Sequence, residues 1–295
     1  MRFCQFIQFF LTNDTFTVNN IFKKKNSINN LVEKKLTVGY IQFQPEFGQP
    51  YKNITYIGEQ LDKIKDADLI VLPELCTTGY TFHNREEAKI YAEPVPQGKT
   101  TQTLLSIAKT KKMHIVAGIN EKERDKLYNS AVFLSPDGYV GKYRKNHLFN
   151  REKIIFDQGN LKFPIFHIDD IKIGILICFD WIFPEAWRTL VLKGADIICH
   201  PSNLVLKNLA HRSIPVTAMI NMIYIICSNR IGIERNLTFI GGSMIVDPKG
   251  NIVHRAPADE EENFMTTINP YKARDKMITE RNDVLDDRRP DIYEL

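Results

Sequence analysis

From residue 36 onward, short apolar runs and segments with apolar residues every three or four positions follow one another along the chain. Residues 36–44 (LTVGYIQFQ) read as a strand, 53–65 as a helix, 69–72 as a buried strand, 101–112 as a helix and 114–118 as a strand. Residues 127–134 and 139–144 flank Pro136, Asp137 and Gly138, residue types that suit a tight turn, and so predict a hairpin. A strand over 171–177 runs into Cys178, Pro184 opens a helix to about residue 193, and a strand follows at 197–199. A helix at 211–221, a strand at 224–228 and a second hairpin across Asp247, Pro248, Lys249 and Gly250 complete the pattern. Strands joined both by hairpins and by helical crossovers predict an α/β layered domain with a mixed sheet. Residues 12–35, rich in Asn, Lys, Ser and Thr, lack a sustained hydrophobic period. Residues 1–35 are therefore expected to be a disordered extension, and residues 36–295 the folded domain.

The formal net charge of +4 lies in that extension, where Arg2, Lys23, Lys24, Lys25, Lys34 and Lys35 face only Asp14 and Glu33. The neutral remainder offers no basic stripe for nucleic acid and suits small neutral or zwitterionic substrates. The five cysteines form no C-x-x-C pair, and most lie in apolar runs, which argues against both a disulfide framework and a zinc site. Free thiols place the chain in a reducing compartment, the cytoplasm. The opening MRFCQFIQFFL imitates a secretory signal, but Gln5 and Gln8 interrupt it and no small-residue cleavage site follows. No run reaches the roughly 18 apolar residues that a membrane span needs.

Four segments carry candidate chemistry. In IGILICFDWIFPEAWR an apolar strand delivers Cys178 at its end and a helix starts about six residues later. Such an elbow exposes a nucleophile, aims the Phe179 backbone N–H at a developing oxyanion and places a helix N-terminus where it favours thiolate. The bland alternative is a buried structural cysteine. In VLPELCTTGY, Glu74 follows a buried strand, either as a general base raised by partial burial or as a surface carboxylate. In GKYRKNHLF, Lys145 ends a strand beside Leu148 and Phe149, either as an oxyanion-stabilising cation or as part of a solvated basic cluster. Strand alternation sends Arg144 and Lys145 to opposite faces, so only one of them reaches a given site. Glu152, seven residues after Lys145, offers a second carboxylate to hold that lysine or to orient a substrate amine. Glu74, Lys145 and Cys178 each stand at the C-terminal end of a predicted strand, where open sheets form binding crevices, and together they make a complete nucleophilic set. Tyr80, Trp181 and Asn203 are candidate substrate-binding residues from their closeness to these motifs. Trp187 is expected to pack, and Glu185 with Arg188, three apart, to form a local ion pair.

The ordered segments LPELCTTGY, YRKNHLF and CFDWIFPE resemble the glutamate, lysine and cysteine motifs of the nitrilase superfamily of carbon-nitrogen hydrolases. The likeness extends to VGYIQFQP, REKIIFDQGN, HPSNLV and SNRIGIERNLTFIGGSMIVDPKGNIV, and covers about residues 36–295. It implies a four-layer α-β-β-α sandwich, no cofactor, no metal and pairing of subunits through the outer helices into a homodimer or higher homo-oligomer. By motif position it gives Glu74, Lys145 and Cys178 the triad roles and Glu152 a supporting one. Nitrilases of the plant and bacterial aromatic type resemble C-W-E after the cysteine, whereas this chain has Cys178-Phe179-Asp180, as amidases and carbamoyl-amine hydrolases more often do. The sequence therefore points to amide hydrolysis, with an N-carbamoyl amine hydrolase similar to N-carbamoylputrescine amidase, or an aliphatic nitrilase, as alternatives. Two rivals stand outside this reading: a cysteine protease using His147 or His200 as base, and a non-catalytic member that keeps the fold.

Overall fold

The computed structural model of the protein describes residues 34–293. Of the disordered extension expected over residues 1–35, residues 1–33 lie outside the described residues. The first half runs β1 (Leu36–Gln42), α1 (Pro50–Lys63), β2 (Leu69–Val71), α2 (Arg85–Tyr91), α3 (Lys99–Lys111), β3 (His114–Glu123), β4 (Lys126–Ser135) and β5 (Gly138–Arg144). The second runs α4 (Glu152–Ile155), β6 (Ile165–Ile168), β7 (Ile171–Ile175), a 3-10 turn at Cys178–Ile182, α5 (Pro184–Leu192), β8 (Ile197–Ser202), α6 (Leu209–Asn221) and β9 (Tyr224–Asn229). Short β10 (Ile233–Glu234) and β11 (Leu237–Thr238) pair with each other, and β12 (Met244–Val246), β13 (Ile252–Arg255) and β14 (Glu262–Ile268) follow.

These strands make two six-stranded sheets, ordered β14-β1-β2-β3-β4-β5 and β13-β12-β9-β8-β7-β6. Each has a parallel centre, β1-β2-β3 or β7-β8-β9, with antiparallel strands outside it. Side-chain alternation sorts the first sheet into its two faces. Val38, Tyr40, Leu69, Val71, Val116, Ala131 and Phe133 share a core with Ile173, Ile175, Ile197 and Ile226 of the second sheet. Their neighbours Ile41, Ile70, Leu72, Ile115, Ala117, Val132 and Leu134 pack instead on Ile54, Ile57 and Leu61 of α1 and Leu104 and Ala108 of α3. On the far side, Ala186, Trp187 and Leu190 of α5 and Ile214 and Ala218 of α6 cover the second sheet. The architecture is the expected α-β-β-α sandwich. Among the described residues no helix is long and apolar enough to cross a membrane.

Local differences from the sequence expectation have physical causes. The strand expected over 171–177 stops at Ile175, and the Ile177 N–H is taken by the Asp180 carboxylate at 2.8 Å. Arg188 forms no pair with Glu185; its guanidinium donates to the carbonyls of Ile220 and Val284 at 3.0 and 3.3 Å, groups contributed by later segments. Trp187 packs as expected, buried in the core with its indole N–H on the Trp181 carbonyl.

Candidate active site

Two successive antiparallel reversals, β3 to β4 and β4 to β5, make β5 run in the same direction as β2. Their C-terminal ends therefore open on the same edge of the first sheet, which is why Glu74 and Lys145 meet although 71 residues separate them. The Lys145 ammonium donates to Glu74 Oε1 at 2.7 Å and to Glu152 Oε1 at 2.8 Å, and all three side chains are buried. Asn129, near the start of antiparallel β4, donates its amide to the same Glu74 oxygen at 2.6 Å. Glu74 Oε2 is buried without a hydrogen-bond partner. Arg144 points to the opposite face, as alternation requires, and pairs with Glu121 beside Lys142.

The turn that carries Glu74 needs a glycine next to it. A methyl group at Gly118 would come within 2.5 Å of Glu74 Cα and 2.6 Å of the Pro73 carbonyl oxygen, so only a glycine on β3 lets this turn lie against the sheet.

Cys178 follows β7 and adopts a left-handed φ of 42°, uncommon for a side-chain-bearing residue and typical of a strained elbow. Asp180 holds that elbow: one carboxylate oxygen accepts from the Ile177 N–H and from the Tyr143 hydroxyl at 2.9 Å, and the other meets His147 Nδ1 at 2.6 Å. Phe179 lies at the start of the 3-10 turn, where the first N–H groups have no helical carbonyl to bond. The other sheet contributes Asn203, just after β8, whose amide donates to the Glu74 carbonyl at 3.0 Å and so ties the two sheets together.

Electrostatics set the resting proton positions. Burial pushes the Cys178 thiol well above its ordinary value and the Glu74 charge adds to this, while Lys145 and an Asn203 backbone hydrogen bond only partly oppose them. The cysteine is thus a thiol at rest, and the expected thiolate bias of a helix N-terminus is overridden. Burial disfavours the Lys145 charge, but Glu152 and Glu74 outweigh it and raise the ammonium above the ordinary lysine value. Burial lifts the Glu152 carboxyl, which Lys145 draws back down.

The structure brings Glu74, Lys145 and Glu152 into one hydrogen-bonded cluster, and the charges of all three act on the Cys178 thiol. A cavity of about 280 Å³, including its open mouth, is lined by Cys178, Phe149, Phe179, Trp181, Asn203 and apolar side chains of residues 204–206 and 210. Trp181 and Asn203, two of the candidate substrate-binding residues, line this cavity. Tyr80 does not line this cavity; it donates its hydroxyl to Glu152 Oε1 at 2.6 Å. Asn129, Tyr143 and Asp180 are site residues that the motif spacing leaves unassigned.

His147 and His200, the two histidines that a protease-like reading would use, are both engaged by other groups. His200 Nε2 lies 2.9 Å from the Cys178 carbonyl oxygen, which can only accept, so that nitrogen carries the proton. Burial lowers His200 to about 4, which keeps it neutral. His147 is held by Asp180 and stacks on Phe183 with ring centroids 3.7 Å apart.

Comparison with known proteins identifies the family. The sequence profile of the family described as carbon-nitrogen hydrolase matches residues 38–275. A nitrilase of Pyrococcus abyssi is 45% identical over 258 residues, covering 87% of this chain and 98% of its own. An N-carbamoylputrescine amidase of Solanum lycopersicum is 30% identical over 257 residues, covering 78% and 84%. The crystal structure of a carbon-nitrogen hydrolase from Helicobacter pylori G27 superposes with a TM-score of 0.77 at 25% identity, covering 88% of this chain and 97% of that one. The chain belongs to the carbon-nitrogen hydrolases, enzymes of the nitrilase superfamily.

Proposed function

We propose that the protein hydrolyses the carbon-nitrogen bond of a small, neutral amide in the cytoplasm, with Cys178 as nucleophile, Glu74 as general base and Lys145 as electrostatic partner. The observation that carries this reading is the single buried cluster in which Lys145 joins Glu74 to Glu152 beside the Cys178 elbow. Because the thiol is protonated at rest, attack and deprotonation belong together. Cys178 Sγ bonds to the amide carbon as its proton passes to Glu74, and the oxyanion is stabilised by the Lys145 ammonium and the Phe179 N–H. Collapse breaks the carbon-nitrogen bond, and ammonia leaves with the proton returned from Glu74. Water then attacks the thioester, giving its proton to Glu74, and the acid departs as Cys178 regains its hydrogen. The apolar cavity walls, with no charged side chain among them, suit a short uncharged acyl group.

A nitrile substrate is the second reading, favoured by the 45% identity to the P. abyssi nitrilase. Ammonia release from matched short aliphatic amides, their nitriles and N-carbamoyl amines, with wild type beside Cys178→Ala, decides between them. The amides are expected to release ammonia fastest, with loss of at least about 10³-fold in Cys178→Ala. Wild-type turnover by Cys178→Ala removes the mechanism, and faster release from the nitriles selects the second reading.

The assembly implied by the family likeness is a homodimer or higher homo-oligomer through the outer helices, where Leu192, Val216, Met219 and Ile220 stand exposed. Light scattering at micromolar concentration is expected to give at least twice the 34.2 kDa chain mass. A monomeric mass excludes that assembly.

A further inference from the structure

We propose that Glu234 is a positioning residue for this reaction, holding the 79–81 turn so that the Tyr80 hydroxyl stays on the Glu152 oxygen that also holds Lys145. The inference rests on the reading of Lys145 and Glu152 as parts of the active site. Glu234 ends β10, far from the four motifs in sequence, yet its Oε1 gathers three donors from this turn. They are the Tyr80 N–H at 2.8 Å, the Thr81 N–H at 2.6 Å and the Thr81 hydroxyl at 2.8 Å. Its Oε2 accepts from Arg230 Nη1 at 2.6 Å. Arg230 is fully buried, with its guanidinium 3.9 Å over the Phe239 ring, and Phe239 in turn meets the Tyr80 ring edge-on at 5.9 Å.

A buried ion pair adds little net stability, because desolvation offsets most of its attraction. What Arg230 and Glu234 supply here is position. The carboxylate is fixed on one side by a buried cation, and on its other side one hydrogen bond from the Tyr80 N–H and two from Thr81 fix the turn. Gly79 has φ +81° and lies so close that a methyl group there would come within 2.6 Å of Glu234 Oε2, so turn and carboxylate are fitted to each other.

The consequence for chemistry runs through Glu152. This carboxylate is faced by the Lys145 ammonium, by the Tyr80 hydroxyl, by the Phe149 N–H at 3.2 Å and by Glu74 across the lysine. Burial and the Glu74 charge raise its proton affinity, while Lys145 and the Tyr80 hydrogen bond lower it. Removing the Tyr80 hydroxyl therefore makes Glu152 easier to protonate. That weakens the cluster's hold on Lys145 and moves the acid limb of activity to higher pH.

The test uses the full chain and the panel compound that wild type turns over fastest. Tyr80→Phe is expected to lower kcat about 10-fold and to move the acid limb of kcat/KM up by about one pH unit. KM should stay within about two-fold, since Tyr80 does not line the cavity. Glu234→Ala should give the same signature, and Glu234→Gln, which keeps one oxygen for the turn donors but sets an amide NH2 against the Arg230 guanidinium, should shift the acid limb less than Glu234→Ala does. The double variant Tyr80→Phe/Glu234→Ala should be no worse than either single change, because both remove one interaction. Should Glu234→Ala fail to fold, Gly79→Ala displaces the same turn while keeping both charges of the ion pair in the chain, and is expected to reproduce the shift. An acid limb that stays at the wild-type pH in folded variants, or fully additive losses in the double variant, overturns the proposal. A normal Tyr80→Phe also overturns it while leaving the Cys178 mechanism standing. Absence of any Cys178-dependent turnover in wild type removes both.

Discussion

Lys145→Met abolishes measurable turnover and costs about 3–5 kcal/mol of stability, the range seen when one partner of a buried ion pair is removed. The reason is the environment of the ammonium: with no exposed surface of its own, it is the cation between two buried carboxylates, Glu74 and Glu152. Methionine fills the space but leaves those carboxylates without it. For a domain of this size the loss corresponds to a fall in Tm of roughly 10 °C. The pH dependence distinguishes this cause from simple loss of packing. In wild type the folded lysine value is raised, so its contribution is fully present below the unfolded value near 10.4 and is lost only as pH climbs through the folded one. In Lys145→Met the sign is set by Glu152, whose carboxyl burial and the Glu74 charge already hold above its ordinary value and which Lys145 no longer draws down. The folded state then binds a proton that the unfolded state does not, and stability returns as pH falls through the folded value of the Glu152 carboxyl. Thermal melts of both proteins between neutral and acid pH should show the gap narrowing toward acid. A gap that is constant with pH would assign the loss to packing.

Glu74→Gln separates chemistry from architecture. The glutamine oxygen can accept from Lys145 and Asn129 as Glu74 Oε1 does, so the cluster and the fold persist, with Tm within a few degrees of wild type. What disappears is the second oxygen, buried without a hydrogen-bond partner and available to take a proton. In the proposed mechanism Cys178 rests as a thiol and the water that cleaves the thioester also needs a base, so both halves of the reaction lose their proton acceptor. A fall in kcat of about 10²–10⁴-fold is expected from the usual contribution of general base catalysis. Steady-state kinetics on the best amide provide the check, and a variant within five-fold of wild type would move the base role elsewhere.

The sequence made the site legible where the chemistry sits at the C-terminal ends of strands that share a direction. Glu74 after β2, Lys145 after β5 and Asn203 after β8 follow this rule, and the opposite placement of Arg144 and Lys145 follows from strand alternation alone. Asn129 escaped because β4 is antiparallel, so the residue at the site edge comes from the beginning of that strand. Asp180 was visible as a mark of the branch, but its work on the Ile177 N–H, Tyr143 and His147 depends on a turn geometry that no spacing encodes. Tyr80 stood out by its closeness to Glu74, yet whether it faces the cavity or the carboxylates is decided by Glu234, which lies 154 residues along the chain. The packing of two sheets with helices outside them was legible through the family likeness, whereas hydrophobic period alone predicted only a mixed layered domain. The pairing of Arg188 with Glu185 failed because carbonyl acceptors from distant segments compete with a neighbour three residues away.

In the proposed mechanism the reacting thiol rides on one sheet, while the carboxylate that receives its proton and the lysine beside it ride on the other. Turnover therefore requires that both sheets be docked, and neither half of the chain holds a partial activity to recover. On dilution from denaturant, return of circular dichroism marks the formation of strands and helices, and return of ammonia release marks the later moment at which the two sheets close face to face. The enzyme carries in its own chemistry a clock for the assembly of its core.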